Sequence, residues 1–103
     1  MTDKDKDHGT GRTMAMVKEL VDGATVVVHT GALRLYVHKM ICEHRPDLSR
    51  WRVVAIYNVS DCDRLRGLGG PIVVDHAFWG LQFPALTDRV RALMTDINSR
   101  RAA

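Results

Sequence analysis

The chain has few cysteines, and neither of them is placed like a metal ligand or a redox centre. Only two occur among the 103 residues, Cys42 and Cys62, and they do not form a Cys-x-x-Cys pair. Zinc knuckles and thioredoxin-like motifs use such pairs, because two thiols must meet on one short turn. The cysteine content therefore favours two idle thiols in a reducing compartment.

Long apolar runs are lacking as well. No stretch approaches the roughly 20 apolar residues of a membrane-spanning helix, and the first residues form no apolar signal sequence. We therefore expect a cytoplasmic protein with no membrane partner. The formal net charge of +3 is mildly basic. That charge permits a nucleic-acid or acidic-protein partner, but it is also typical of a solvated basic surface.

The short motifs of common enzyme classes are missing from the sequence. No G-x-S-x-G elbow is present, so serine acyl-transfer chemistry has little support. His38 and His44 lie six residues apart, which places them on different faces of a helix, unlike the i, i+4 histidines of an H-E-x-x-H zinc site. No complete catalytic constellation is visible, and the sequence indicates no particular cofactor.

Three short apolar runs are present, and each is followed by polar residues. They cover residues 24–29, 53–57 and 72–75 and are rich in valine and isoleucine. A short apolar run bounded by turn signals is typical of a strand covered on both faces, as in parallel sheets. We expect one residue in the middle of each run to be buried in the core: Val27, Ile56 and Val73.

Apolar residues recur at helical spacing in residues 13–22, 32–44 and 84–100. In residues 32–44, three further side chains widen the apolar sector: Leu35, Tyr36 and Cys42. Residues 1–12 alternate acids and bases with nothing to enter a core, so they predict a disordered tail. The prediction is a single α/β domain over residues 13–103, a small three-stranded, mainly parallel sheet flanked by about three helices. A mixed sheet is the alternative, because the second and third strands are joined by a short connection.

Parallel strands bring their carboxyl ends to one edge, where ligands bind in α/β sheets. If the strand order is 2-3-1, the polar residues after the first and third strands meet beside the N-terminus of the helix at 32–44. They form the candidate ligand-binding site: His29, Thr30, Gly31, Asp75 and His76. If the order is 3-2-1, Asn58 and Ser60 replace His29 as neighbours of Asp75. In the plainer interpretation, Asp75 caps the following turn and His76 is a surface histidine.

Four other residues are candidates for contact with a partner: Arg64, Arg66, Phe78 and Trp79. Arginine and tryptophan carry much of the binding energy in protein interfaces. Closure of the core over the sheet is the competing explanation for the two aromatic residues, and a solvated surface is the competing explanation for the arginines.

Residues 25–78 resemble the core of a degenerate P-loop nucleoside triphosphatase, of the helicase-like and terminase-like kind. The run Val-Val-Val-His-Thr-Gly-Ala-Leu at 26–33 is similar to the family's strand, phosphate loop and helix. Ile-Val-Val-Asp at 72–75 is similar to the strand that ends in the magnesium-binding acid, and an Arg-Gly segment precedes it at 66–70. The G-x-x-x-x-G-K-[ST] loop and its lysine are absent, and His76 stands where the family places a glutamate. The resemblance thus implies a fold that has lost hydrolysis.

The function we expect is that of a small, non-catalytic α/β binding protein with a macromolecular partner, most simply a protein. Its size and character fit proteins encoded by phages and mobile elements. Two alternatives stay open. One is a nucleotide- or phosphate-binding protein of degenerate P-loop type, which uses the start of the helix at 32–44 together with Asp75. The other is a small hydrolase-like enzyme with His29 or His76 as base.

Overall fold

The first strand in the chain lies at the centre of a three-stranded parallel sheet. In the computed structural model, which describes residues 3–65 and 70–102, the strands are β1 (Ala24–Val28), β2 (Trp51–Ala55) and β3 (Ile72–Val74). Their order is β2-β1-β3, and both pairings are parallel. The predicted fold class is therefore confirmed. The strand orders 2-3-1 and 3-2-1 are both wrong, although β1 and β3 are neighbours as the first of them requires.

The position of β1 follows from its composition. All five of its residues are buried, so the strand is covered on both faces and paired on both edges. Its neighbours are less suited to a central place: β2 carries the exposed Arg52, and β3 is only three residues long. Val27 and Ile56 are fully buried as predicted, whereas Val73 is only half-buried because β3 lies at an edge of the sheet.

The described residues form helices on both faces of the sheet. They are α1 (Asp3–Lys18), α2 (Gly31–His44) and α3 (Pro84–Ala102), with two 3₁₀ helices at Val59–Leu65 and His76–Gly80. Side chains alternate between the faces of a strand. Val26 and Val28 accordingly belong to one core cluster with α1 and α2, and Val27 belongs to a second cluster with α3 and the 3₁₀ helices. The domain has three layers.

The first helix begins earlier than its apolar pattern indicates. We expected a disordered tail over residues 1–12 and a helix from Thr13, but α1 starts at Asp3 and ends at Lys18. The apolar residues from Met14 onward mark where the helix reaches the core rather than where it begins. The widened apolar sector of α2 is also wrong, because Leu35, Tyr36 and Cys42 are all exposed. Only the narrower stripe of α2 is buried, namely Val37, Met40 and Ile41.

The loop that leads into β2 is held against the connection between α1 and β1. The Asp22 carboxylate accepts hydrogen bonds from the backbone N–H groups of Ser49 at 2.6 Å and Arg50 at 2.7 Å. It also accepts one from the Ser49 hydroxyl at 3.0 Å. These donors, the Arg50 N–H foremost, lower the pKa of Asp22. The start of β2 is thereby fixed beside the start of β1.

Candidate functional site

The carboxyl edge of the sheet brings the ends of β1 and β3 side by side. Val27 pairs with Val74, and the Asp75 N–H donates to the Val27 carbonyl at 3.0 Å. The Asp75 carboxyl is buried, with 2% of the residue exposed. Its Oδ1 accepts from the Thr13 hydroxyl at 3.0 Å, and its Oδ2 accepts from the Ala77 N–H at 3.3 Å. Asp75 therefore caps the second 3₁₀ helix and binds α1, which matches the plainer interpretation.

The β1 side of this edge is also occupied by local structure. Thr30 is the N-cap of α2, and its Oγ1 accepts from the Leu33 N–H at 3.1 Å. Gly31 is the next residue, and it lies close to Tyr57. A Cβ added to Gly31 would lie 3.1 Å from the tyrosine hydroxyl oxygen. His29 is half-buried, and within the described parts of the chain its Nδ1 has no hydrogen-bond partner.

The two halves of the predicted ligand site approach each other without joining. His76 Nδ1 lies 3.7 Å from Asp75 Oδ1, which is too long for a hydrogen bond. Within residues 11–65 and 70–100, no hydrogen bond or ion pair connects His29 or Thr30 with Asp75 or His76. The same residues contain no group of three or more His, Cys, Asp or Glu side chains that could hold a metal ion. At this edge, the Thr30 hydroxyl and the Asp75 carboxyl both serve as helix caps.

The predicted partner-binding residues separate into different environments. Phe78 is fully buried in the cluster beneath α3, so its role as an exposed anchor is wrong and closure of the core is its role. Trp79 is half-buried beside it, and the Arg91 guanidinium lies 4.7 Å from its ring centroid. Arg64 is exposed near the end of β2, with 60% of its side chain accessible. Arg66 lies outside the described residues.

A basic groove runs along the outer edge of β2, and of the residues that line it only Arg64 was predicted from the sequence as a binding residue. We call it the β2 groove. It has a volume of about 770 Å³, and its lining includes Arg34, Trp51, Arg52, Val53, Tyr57 and Arg64. A second depression of about 950 Å³ continues it past the start of β2, towards Asp22 and Arg50.

The charge of the β2 groove is of one sign. Among the described residues that line it, none is acidic. Arg34 and Arg52 are exposed, and neither forms an ion pair within the part of the chain that the structure describes. Arg64 lies 4.0 Å from Asp61, a loose ion pair at the surface. Two arginines that face no carboxylate give this surface a positive potential, which attracts an acidic partner.

The backbone of β2 is open on the same side. The Ile56 N–H donates to the Val28 carbonyl, and the Gly23 N–H donates to the Arg50 carbonyl. Because backbone groups alternate sides along a strand, those of Trp51, Val53 and Ala55 point away from β1. The Ala55 carbonyl meets Arg64 Nη1 at 3.4 Å. For Trp51 and Val53, no backbone partner on this side occurs within residues 11–65 and 70–100.

The opposite edge of the sheet is closed by a side chain. The Ile72 N–H donates to Asn98 Oδ1 at 2.8 Å, and Asn98 Nδ2 donates to the Ile72 carbonyl at 3.1 Å. The Asn98 amide thus reproduces the two bonds that another strand would make. Natural sheets commonly protect a free edge in this way, because open backbone groups pair with other chains. In this sheet, β3 is protected and β2 is not.

The sequence carried a signal for the β2 groove. Arg52 is a charged residue inside an otherwise apolar run, and a strand with such a residue suits an edge better than a centre. Arg34 and Tyr57 come from other elements, and their convergence depends on the packing of α2 against β2.

No helix in the described residues is long and apolar enough to cross a membrane. Comparison of the chain with models of protein families, with curated proteins and with solved structures finds no match.

Proposed function

We propose that this chain is a non-catalytic binding protein whose protein partner docks in the β2 groove. The observation that carries the proposal is the coincidence of an open strand edge with unpaired arginines. Arg34 from α2 and Arg52 from β2 line one groove, and no acidic side chain among the described residues lines it with them. A protein surface of this kind gains affinity from backbone pairing and association rate from charge.

The open shape of the groove, rather than its volume, fits contact with a macromolecule better than capture of a small ligand. It is shallow and follows an edge rather than closing around a cavity. Tyr57, with 56% of its surface exposed, stands at one end of it and offers an aromatic anchor. Tyrosine and arginine are the residue types that contribute most to the energetics of interfaces.

Phosphate binding of degenerate P-loop type is the competing proposal. It would use the N-terminus of α2, where Thr30 caps the helix and Gly31 lies beside Tyr57. A thermal-shift measurement with ATP and Mg²⁺ separates the two functions. A ligand present at 100 times its dissociation constant stabilises the native state by about 2.7 kcal/mol. We expect no shift with ATP and Mg²⁺, whereas a saturable shift that Thr30→Ala removes would favour the competing proposal.

Site-directed photocrosslinking in the native host tests the docking surface. A photoreactive phenylalanine analogue replaces Tyr57 in the groove, and in the matched control it replaces Phe83, an exposed aromatic residue outside it. We expect an adduct from position 57 only, one that resists nuclease and yields peptides of a partner protein in mass spectrometry. The adduct should disappear when Arg34→Glu and Arg52→Glu are added, because the reversed charges repel the partner.

Two results would contradict the proposed function. Adducts of equal yield from positions 57 and 83 would mean that the partner does not dock specifically in the groove. An adduct whose added mass is removed by nuclease, and which yields no partner peptides in mass spectrometry, would mean that the partner is a nucleic acid. The charge-reversed protein must keep the melting temperature of the unmodified protein, and Arg12→Glu, an exposed arginine on α1, is the control for charge reversal alone.

A further inference from the structure

Resting on the proposed function, we propose that the partner presents an extended acidic segment, which adds to β2 as the fourth strand of the sheet. The segment pairs its backbone with the outward N–H and C=O groups of Trp51, Val53 and Ala55. Its carboxylates reach the arginines on the two sides of the edge. A strand opposite all five residues of β2 spans about 17 Å.

The backbone geometry favours strand addition over other modes of peptide binding. An added strand needs outward-facing groups at every second residue, and β2 supplies them at its first, third and fifth positions. Arg52 and Val54 instead bond to β1, as the inward bonds at Arg50 and Ile56 require. On the other side of the sheet, Asn98 already occupies the equivalent groups of Ile72. Of the two edges of the described sheet, β2 is therefore the one to which a further strand can be added.

The charges select an acidic segment. Side chains of an added strand alternate between the two faces of the sheet, as those of β2 do. On one face they meet Arg34 of α2, and on the other they meet Arg52 and Arg64. Acidic residues at neighbouring positions of the segment therefore each find an arginine. A second copy of this chain is a poor occupant, because pairing two β2 edges would bring like charges together.

Arg64 covers one acceptor of the edge, the Ala55 carbonyl, in the free protein. Its Nη1 lies 3.4 Å from the Ala55 carbonyl, which is a long and weak hydrogen bond. A carboxylate of the partner offers the guanidinium a stronger, charge-assisted bond. The backbone N–H of the same partner then replaces Arg64 at the Ala55 carbonyl.

Amide hydrogen exchange of the full chain, followed by NMR, tests the inference. The probe is the blocked heptapeptide Thr-Glu-Glu-Thr-Glu-Glu-Thr, whose neighbouring glutamates point to the two faces of the sheet, and the control peptide carries Gln in place of Glu. At ten times the dissociation constant, we expect exchange at Val53 and Ala55 to slow about tenfold, because only the free form exchanges. Exchange at Arg52 and Val54 should stay unchanged, since these amides are bonded to β1 in both forms.

A proline variant tests the backbone pairing separately from the charges. Ala55→Pro removes an outward N–H and leaves the pairing with β1 intact, so edge strands tolerate it. We expect it to weaken peptide binding at least tenfold with the circular-dichroism spectrum unchanged. If Ala55→Pro fails to fold, the same peptide with methylated backbone nitrogens at every second residue gives the readout, because it keeps its carboxylates but cannot donate to the strand edge; methylation of the other set of nitrogens, which face away from β2, is its control.

The outcomes distinguish this inference from the proposed function. Peptide that binds without slowing exchange at Val53 and Ala55 would overturn strand addition and leave the docking surface in place. Equal binding of the Gln peptide would overturn the acidic preference. If the Thr-Glu peptide slows exchange at Val53, and this effect is lost in Ala55→Pro, the result would support strand addition. Binding of a thymidine octanucleotide in place of either peptide would overturn both proposals.

Discussion

The Thr13 hydroxyl donates a hydrogen bond to Asp75 Oδ1 at 3.0 Å, across 62 positions of the chain. It joins the middle of α1 to the residue that follows β3, and both residues are buried. The carboxyl that looked from the sequence like a ligand-binding group is thus enclosed by its own fold. A buried polar group that loses a donor retains the cost of its desolvation.

Removing this donor should destabilise the protein. Thr13→Val keeps the shape of the side chain and leaves Asp75 Oδ1 without its buried donor, so we expect a loss of about 1–3 kcal/mol in the free energy of unfolding. Chemical denaturation measures it. Thr87→Val is the matched control, because the hydroxyl of that buried threonine lies against carbonyls at the start of its own helix. Equal losses in the two variants would mean that the Thr13–Asp75 bond has no special role.

The centre and the edge of the sheet should differ in their tolerance of a smaller side chain. Val27→Ala removes two methyl groups from a fully buried central strand, and we expect it to cost about 2–3 kcal/mol. Val73→Ala makes the same change on the half-buried edge strand β3, where about 1 kcal/mol is expected because the site is partly solvated. Denaturation midpoints of the two variants, measured together, test this. An equal cost would contradict the assignment of β1 to the centre.

The protection of β3 can be tested at Asn98. Asn98→Ala removes both bonds to Ile72, and we expect a loss of about 1–2 kcal/mol together with faster hydrogen exchange at the Ile72 amide. Ser99→Ala, at the exposed neighbouring position, should change neither quantity. If exchange at Ile72 stays slow in Asn98→Ala, then another group closes this edge. Any new tendency of the variant to self-associate would identify the exposed backbone as the cause.

The Asp22 interaction predicts a dependence of stability on pH. Its pKa is lower in the folded protein than the ordinary value of 3.8, so it favours folding above that value, and this contribution disappears as the pH falls through the folded pKa. Asp22→Asn keeps one acceptor oxygen and removes the charge. The unmodified protein should therefore be more stable than this variant at pH 6, and the difference should shrink below pH 3.8. Urea denaturation at several pH values measures it.

A smaller change provides the check on this interpretation. Ser49→Ala removes one of the three donors to Asp22 and should reduce the pH dependence without abolishing it. A difference between Asp22→Asn and the unmodified protein that stays constant from pH 3 to pH 6 would mean that the charge of Asp22 plays no part in stability.

The sequence predicted the elements of this fold better than their arrangement. The apolar runs around Val27 and Ile56 identified the first two strands, because their pattern is local, although only β1 is buried along its whole length. Strand order depends on which residues tolerate an edge, and the exposed Arg52 was the decisive clue. The β2 groove depends on the approach of Arg34 from α2, which no pattern within either element specifies. Asp75 was correctly predicted to follow the third strand. Its hydrogen-bond partner, Thr13, could not be predicted, because it is 62 positions away in the sequence and no local pattern connects the two residues.

The central position of β1 has a consequence for the order in which the sheet is completed. Ribosomes release the N-terminal part first, so β1 and β2 emerge with their crossover helix α2 well before β3. Until residues 72–74 appear, the unpaired side of β1 is an open edge of a strand in which four of the five residues are apolar. Such edges recruit other chains. A nascent or truncated chain that ends before Pro71 should therefore aggregate, whereas the full chain covers that edge with its last strand.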